Sequence, residues 1–567
     1  MTPFFNESTY MCIFPIIICC ILQLSAPFSL QKIRSVSFSW KIVFLLLSIL
    51  YLLMTSMTEV IKDGFPLLAE CILLLASFFS CFLLLLRAGS SEMQSYPYSF
   101  RKISSTPIYT VMIPITVLSF FIISGCYPGV FSSDSASSWT DVATNNFSDW
   151  HPVTYLYILK VIQRIFGNPF PLVLLQTFLW IAANYYALLL LEKYAAFKYA
   201  DILYTIASFI MIYSYRALGN IEKDTLWNIS LFLFCLFIYD FVKTQRPFSW
   251  YKIFFFMVSA CMTATIRHMG NLIVLISLLI LFIWQWRKKA KENKKILRRL
   301  SLVFLSSIFI PVFLVNILGT RILHMVPNED YVKYTIPVAM AGAVASKEDL
   351  PEKDIETLEQ IIPIEKWRDY YDKYYADSLS RTWGSIGENA LKLRDKDFQR
   401  EIILLNAKFL IKYPITYLTA YFDTTSIVWE MGTPSDGYEF IPVTIYSTAL
   451  DNYPGYSDLQ IKPTISTDIQ QKFFGISDQI PVWTSICWRG GFSLFILLAC
   501  SCILIRKKRA REVLALLPAF LLTAVLFLAN PSQDPRYIDV YHMLMCFFLF
   551  PAASTQSVDI QEAAGKR

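Results

Sequence analysis

Long apolar runs alternate with short polar connections along most of this chain, and the runs show neither the two-residue alternation of a membrane strand nor a polar face. Thirteen of them approach the roughly 17–25 residues with which a helix crosses a bilayer. They lie near 10–28, 42–60, 65–86, 108–126, 169–191, 199–215, 225–241, 252–266, 270–286, 300–322, 491–505, 513–529 and 538–554. The expected class is an α-helical polytopic membrane protein. Pro15, Pro114 and Pro311 fall inside runs, which neighbouring helices tolerate in a membrane. The 252–286 stretch must break near Arg267, because as one helix it would far exceed the hydrocarbon core.

The pattern changes between residues 323 and 490. PEKDIETLEQII and EKWRDYYDKYYADSL have helical spacing, and DKDFQREIILLNAKFLIKYP is an amphipathic helix ending at Pro414. ITYLTAYFDTTSIVWEMG is aromatic and mostly apolar and is expected on a membrane surface. This segment is long enough for a separate, mainly α domain.

Composition agrees with the class. Of 567 residues 55% are hydrophobic and 16% charged, with a formal net charge of +7. The positive charge is confined to short clusters between runs, which argues against nucleic-acid binding. Lys32/Arg34/Lys41, Arg87/Arg101/Lys102, Lys193/Lys198, Lys243/Arg246/Lys252, RKKAKENKKILRR (287–299) and RKKRAR (506–511) all fall on one side of a thirteen-span topology. By the positive-inside rule that side is the cytoplasm, with the N-terminus outside and the C-terminal tail inside. MTPFFNESTY lacks the basic region of a cleaved signal peptide. Most of the twelve cysteines lie inside runs, and none lies between Thr320 and Ser485, so no disulfide framework is expected.

The opposite side gathers the candidate chemistry. FSSDSASSWTDVATNNFSDWHP (131–152) holds Asp134, Asp149 and His151. Asp149 also fits a helix cap ahead of Pro152, which suits a first helical turn. Asp134 has no helix-start pattern before it. Lys223–Asp224 open a run, with Asp224 also fitting a cap. Arg267 and His268 occupy a tight turn, and Asp534–Pro535–Arg536–Tyr537 precede the last run. Isolated cations at helix ends suit an anionic lipid head group, arginine as a planar two-point donor to phosphate and lysine as a point charge. A carboxylate among them supplies a base. His324 receives no role.

An acid soon after a span, followed by a His-Pro that opens an apolar helix, resembles the first outer loop of the GT-C superfamily of polytopic glycosyltransferases. The order Pro128–Gly129, Asp134, His151–Pro152, Lys223–Asp224, Arg267 with Gly270, and Arg536–Tyr537 is similar to a group of uncharacterised bacterial GT-C-like membrane proteins. Asp134–Ser135 stands where that group has two acids, and His151–Pro152–Val153 where it has HPP.

The resemblance implies a hexosyl- or pentosyltransferase of the cell envelope, inverting at the sugar. It would draw on a polyprenyl-phosphate-linked sugar and serve a glycan, lipid or protein acceptor. Asp134 would be catalytic; Lys223, Arg267, Arg536 and Tyr537 would bind the lipid phosphate; Asp149, His151, Asp224 and His268 would support them. A divalent cation is left open. The implied organisation is an N-terminal three-span module (1–107), a GT-C-like core (108–322) with its first outer loop at 127–168, an extracytoplasmic domain (323–490), and three C-terminal spans with a cytoplasmic tail (491–567). A transporter or flippase of the same lipid, a surface-polysaccharide polymerase or ligase, and a non-catalytic scaffold are the alternatives.

Overall fold

All thirteen apolar windows contain helix in the computed structural model. It describes residues 7–25, 36–55, 67–90, 108–194, 199–288, 293–326, 334–376, 392–393, 395–432, 481–530 and 532–554, with positions 455, 456, 459, 469 and 472. The helices are α1 (Glu7–Ser25), α2 (Phe38–Met54), α3 (Leu67–Gly89), α4 (Ile108–Ser124), α5 (Ser133–Thr144), α6 (Val153–Phe166), α7 (Phe170–Tyr194), α8 (Ala200–Ile210), α9 (Ile212–Arg216), α10 (Lys223–Thr244), α11 (Trp250–Ile266), α12 (Gly270–Trp286) and α13 (Asn293–Phe313). After them come α14 (Thr335–Lys347), α15 (Glu352–Glu359), α16 (Ile364–Tyr370), α17 (Lys396–Lys412), α18 (Pro414–Trp429), α19 (Pro481–Trp488), α20 (Gly490–Arg506), α21 (Leu517–Ala529) and α22 (Asp539–Ala553). Among the described residues the only β pairing is three isolated bridges.

Five helical stretches are long and apolar enough to cross a membrane: Cys71–Gly89, Phe170–Tyr194, Lys223–Thr244, Asn293–Ile322 and Ala510–Ala529. A sixth arises if α8 and α9, bent by 68°, form one broken span. The other seven expected windows hold apolar helical stretches of 17 residues or fewer, Met11–Leu22 within α1 among them. The expected break at Arg267 is present: α11 ends at Ile266, Arg267 is extended, and α12 starts at Gly270. Past Pro311, α13 widens into a π-helix, Leu314–Ile322.

The uniform apolarity of α10 has a simple cause. A helix hydrophobic on all sides is one surrounded by protein, and 94% of the residues in its apolar window are buried. Around it pack α7, α11, α22 and the 3₁₀ turn Ala510–Leu516. Charged residues are excluded from its middle and collect at its two ends. At the C-terminal end Asp240 lies 2.5 Å from Lys252 and 3.5 Å from Lys193 and accepts from Tyr186 and Tyr194. Lys243 pairs with Glu512, which also holds Arg509; Arg509 donates to the carbonyls of Pro551 and Ser554 at the end of α22. Each of these buried charges has a partner, which burial demands. Lys32, Arg34, Arg101, Lys102 and the C-terminal tail lie outside the described residues.

In the 323–490 segment the expected helices form α15, α16 and α17, and they share a core with α14 around Trp367, Phe398 and Phe409. α18 has two faces, with Ile415, Leu418 and Phe422 exposed on one of them. Its Ala420, Thr424–Val428 face is buried, and it packs against α20 and α21. Gly490 and Gly491 permit this approach: a Cβ on Gly491 would meet the Glu430 carbonyl at 2.5 Å. A buried Arg489–Glu430 pair and bonds from Asn530 and Gln533 to the Thr424 carbonyl seal the contact.

Candidate functional site

Four separate chain segments, joined by His151 from the loop before α6, meet at the N-terminal end of α10. The first follows α4. Val130 donates to the Gly219 carbonyl and accepts from Ile221 N–H, laying this strand-like turn beside the residues that lead into α10. Gly129 makes the approach possible, with φ +143° and the Ile221 side chain 2.4 Å from where a Cβ would sit. Ser132 then caps α5, accepting from Ser135 N–H while the Ser135 hydroxyl accepts from Ser132 N–H. Asp134 is therefore a first-turn residue of a capped helix, contrary to the sequence reading that no helix start precedes it. The box is Ser-x-x-Ser, not the Ser/Thr-x-x-Glu/Gln pattern that would have revealed it.

The second segment is the start of α10, with Glu222 at the N-cap, then Lys223 and Asp224. Asp224 is not the cap; its carboxylate lies 3.0 Å from Arg267. The third is the α11–α12 turn that carries Arg267. Here Gly270 is sterically required, since a Cβ would lie 1.8 Å from the Thr263 carbonyl, which also accepts from the Trp227 indole. The fourth is the 3₁₀ turn Pro535–Tyr537, capped by Asp534 through the Arg536 N–H.

Arg536 is the hub. Its guanidinium lies 2.9 Å from Asp134, 2.8 Å from Asp534, 3.5 Å from Glu222 and 3.7 Å from Asp224. It also donates to the Tyr537 hydroxyl, and its carbonyl accepts from Asn228. Arg267 sits between the rings of Trp227 and Tyr537, at 5.2 and 4.8 Å, a cation–π arrangement. Lys223 Nζ is 3.3 Å from His151 Nδ1. The positive ends of α5 and α10 add to the field on Asp134 and Asp224.

Burial and charge oppose each other here. Burial alone would raise the Asp134 pKa; Arg536 and then Lys223 outweigh it and hold the carboxyl below its ordinary value. Burial, then Lys223, pushes His151 down to about 3, so the ring is neutral. With the Lys223 ammonium facing Nδ1, the proton belongs on Nε2, which is buried with no protein partner. Burial raises Glu222 to about 7 and also raises Asp534, in both cases against the pull of Arg536.

The carboxylate side of the cluster is nearly filled: Asp134, His151, Glu222, Lys223 and Arg536 border a cavity of only about 10 Å³. Across Arg267 lies a larger cavity of about 310 Å³. Arg267, His268, Asn271, Thr154 and Asp149 line one part of it, and Pro311, Leu314, Val315 and Met325 another. The Asn271 Oδ1 and Thr154 Oγ1 atoms are buried and unpartnered. Beside it, the outer face of α13 is apolar and exposed at Phe309, Val312 and Phe313.

Of the residues expected at a site, Asp134, His151, Lys223, Asp224, Arg267, Arg536 and Tyr537 fall in one cluster. Asp149 and His268 line the larger cavity instead. Asp149 does not cap α6: the N-cap is Pro152, and the Asp149 N–H bonds the Val326 carbonyl. Glu222 was missed; nothing in the sequence set it apart from the Lys and Asp that follow it. His324 is exposed, and His542 is buried against Ser493, neither in contact with the cluster. Among the described residues no group of three or more His, Cys, Asp or Glu side chains is arranged to hold a metal ion. Comparison with protein families, with curated proteins and with solved structures finds no match for this chain.

Proposed function

We propose that this protein is a GT-C-like membrane glycosyltransferase that moves a sugar from a polyprenyl-phosphate carrier to an acceptor at the outer membrane face. The observation that carries the reading is the adjacency of a buried acid–arginine cluster and a cavity that is polar at Arg267 and apolar along α13. Such a cavity suits an amphiphile with an anionic head. In this reading the chain crosses the bilayer thirteen times. The basic residues at the C-terminal end of α10 face the cytoplasm, and the cluster and the 323–490 domain lie outside.

The carrier's phosphate is bound at Arg267 with His268 and Asn271, its prenyl chain lying along Pro311–Val315. The acceptor oxygen bonds to the anomeric carbon as the bond from that carbon to the phosphate oxygen breaks, with inversion. The electron pair leaves on the phosphate, where preorganised Arg267, Lys223 and Arg536 stabilise it, and the hydroxyl proton passes to a carboxylate of the cluster. Asp134 is the acid the sequence points to. A transport path needs unsatisfied polar groups through the membrane depth. Gln176 instead donates to the Leu218 and Asn220 carbonyls, and Asn184 bonds Trp180 and Tyr204, which favours packing roles.

The test uses the full chain in nanodiscs with synthetic polyprenyl-phosphate hexoses and pentoses and envelope glycan as acceptor. Wild type should release polyprenyl phosphate, and Asp134→Asn should lose about 10²–10⁴-fold in rate. Arg267→Ala should chiefly weaken carrier binding. Unchanged transfer by a folded Asp134→Asn protein would remove Asp134 as the base.

A further inference from the structure

We infer that Glu222 is the group through which this site takes up and releases its proton, while Asp134 stays ionised and holds Arg536 in place. The inference rests on the glycosyl-transfer reading and changes the residue that accepts the acceptor's proton.

Four carboxylates (Asp134, Glu222, Asp224 and Asp534) meet three cations (Lys223, Arg267 and Arg536), and His151 is neutral. One negative charge is left over in a buried cluster, where an unpaired charge is costly. The contacts show which acid carries it. Asp134 and Asp534 lie within 2.9 Å of Arg536, and Asp224 lies 3.0 Å from Arg267. Glu222 has only the shared Arg536 Nη1, at 3.5 Å, and the Ser132 hydroxyl. It is buried at 7% exposure. The groups facing it are Arg536 and Asp534 from the 3₁₀ turn, Lys223 and Asp224 from α10, and Asp134 from α5 with His151 beyond it. The phenols of Tyr155 on α6 and Tyr213 on α9 complete the shell. The worst-paired acid is the one that exchanges a proton near neutrality, as burial already indicates.

Glu222 and Asp134 share one guanidinium nitrogen and border the same small cavity. A hydroxyl that enters there, with Arg536 shifting to admit it, reaches both. Asp134, bound to Arg536, accepts a hydrogen bond weakly; Glu222 takes the proton as the glycosidic bond forms, the phosphate leaves with the electron pair, and Glu222 returns the proton to water on product release. No redox partner is needed. A base with a pKa near the working pH is best suited to this exchange.

Infrared pH-difference spectra of the full-length protein in nanodiscs test the assignment without substrate. Between about pH 5 and about pH 9, the protonated-carboxyl stretch should include a component from Glu222 that vanishes through neutrality. Glu222→Gln should remove that component, Asp134→Asn should keep it, and Glu222→Asp should restore it with a shifted midpoint. Persistence of the component in Glu222→Gln, or its loss in Asp134→Asn, overturns the inference. With polyprenyl-phosphate sugars, Glu222→Gln should lose the acidic limb of the rate–pH profile and about 100-fold in rate; an intact limb overturns it as well. If the infrared component follows Glu222 but wild type transfers no sugar, the proton assignment stands and the glycosyl-transfer reading falls.

Discussion

At Glu222 and His151 the same burial acts on opposite charge types, and the consequences for pH run in opposite directions. A carboxyl raised by folding binds its proton more tightly in the native state. Its stabilisation is full below the unfolded value and fades as pH rises toward about 7. His151, lowered to about 3, resists protonation; its contribution is present above the ordinary histidine value and is lost as pH falls below it. Chemical-denaturation midpoints measured across pH should therefore change less between about 4.5 and about 7 in Glu222→Gln than in wild type. For His151, nitrogen-15 NMR of selectively labelled protein should show a neutral ring protonated on Nε2 at pH 6. Replacing Lys223 by Met should raise its pKa, since the lysine is the largest charge acting on it.

Elements set where these residues stand. α5 presents Asp134 from its first turn because Ser132 and Ser135 satisfy each other's backbone donors. Ser132→Ala should cost about 1 kcal/mol of stability and loosen the Asp134–Arg536 pair, which denaturation midpoints and the salt dependence of activity would register. The α11–α12 turn depends on Gly270. Gly270→Ala puts a methyl against the Thr263 carbonyl and should lower the thermal midpoint by several degrees, while Gly167→Ala, which meets nothing within 4 Å, pays only for its positive φ. Where α18 meets α20, Arg489→Ala removes the 2.9 Å ion pair to the buried Glu430 carboxylate. The expected loss is about 3–5 kcal/mol, read as a fall in the unfolding midpoint.

On the scale of the whole molecule, α10 joins two charged ends through a predominantly apolar middle. In a bilayer, cysteine substitutions at exposed Ser133 and Asn145, in an otherwise cysteine-free chain, should react with an impermeant thiol reagent added to intact cells. A substitution at exposed Arg287, beside the basic cluster, should react only after permeabilisation. The reverse pattern would put the cluster on the cytoplasmic face and end the outer-face reading. The packing of α18 on α20 and α21 also ties the 323–490 segment to the loop carrying Arg536.

The apolar pattern alone was enough to locate thirteen helical windows and the break at Arg267, because a helix in an apolar surrounding, protein or lipid, follows the length of its apolar run and needs no special order of residues. It also pointed to six polar residues of the cluster, because an isolated ionisable group beside an apolar run stands out as costly; Tyr537 entered with Arg536 through the resemblance. Glu222 stayed hidden, since one more acid in a polar connection carries no such signal; only its enclosure by four other elements makes it unusual. The serine box at Ser132 was equally invisible, its partner being a serine instead of an acid. That Asp149 and His268 line a separate cavity, and that one face of α18 is packed on α20 and α21, depended on contacts between segments from tens to more than a hundred residues apart, which no local pattern encodes.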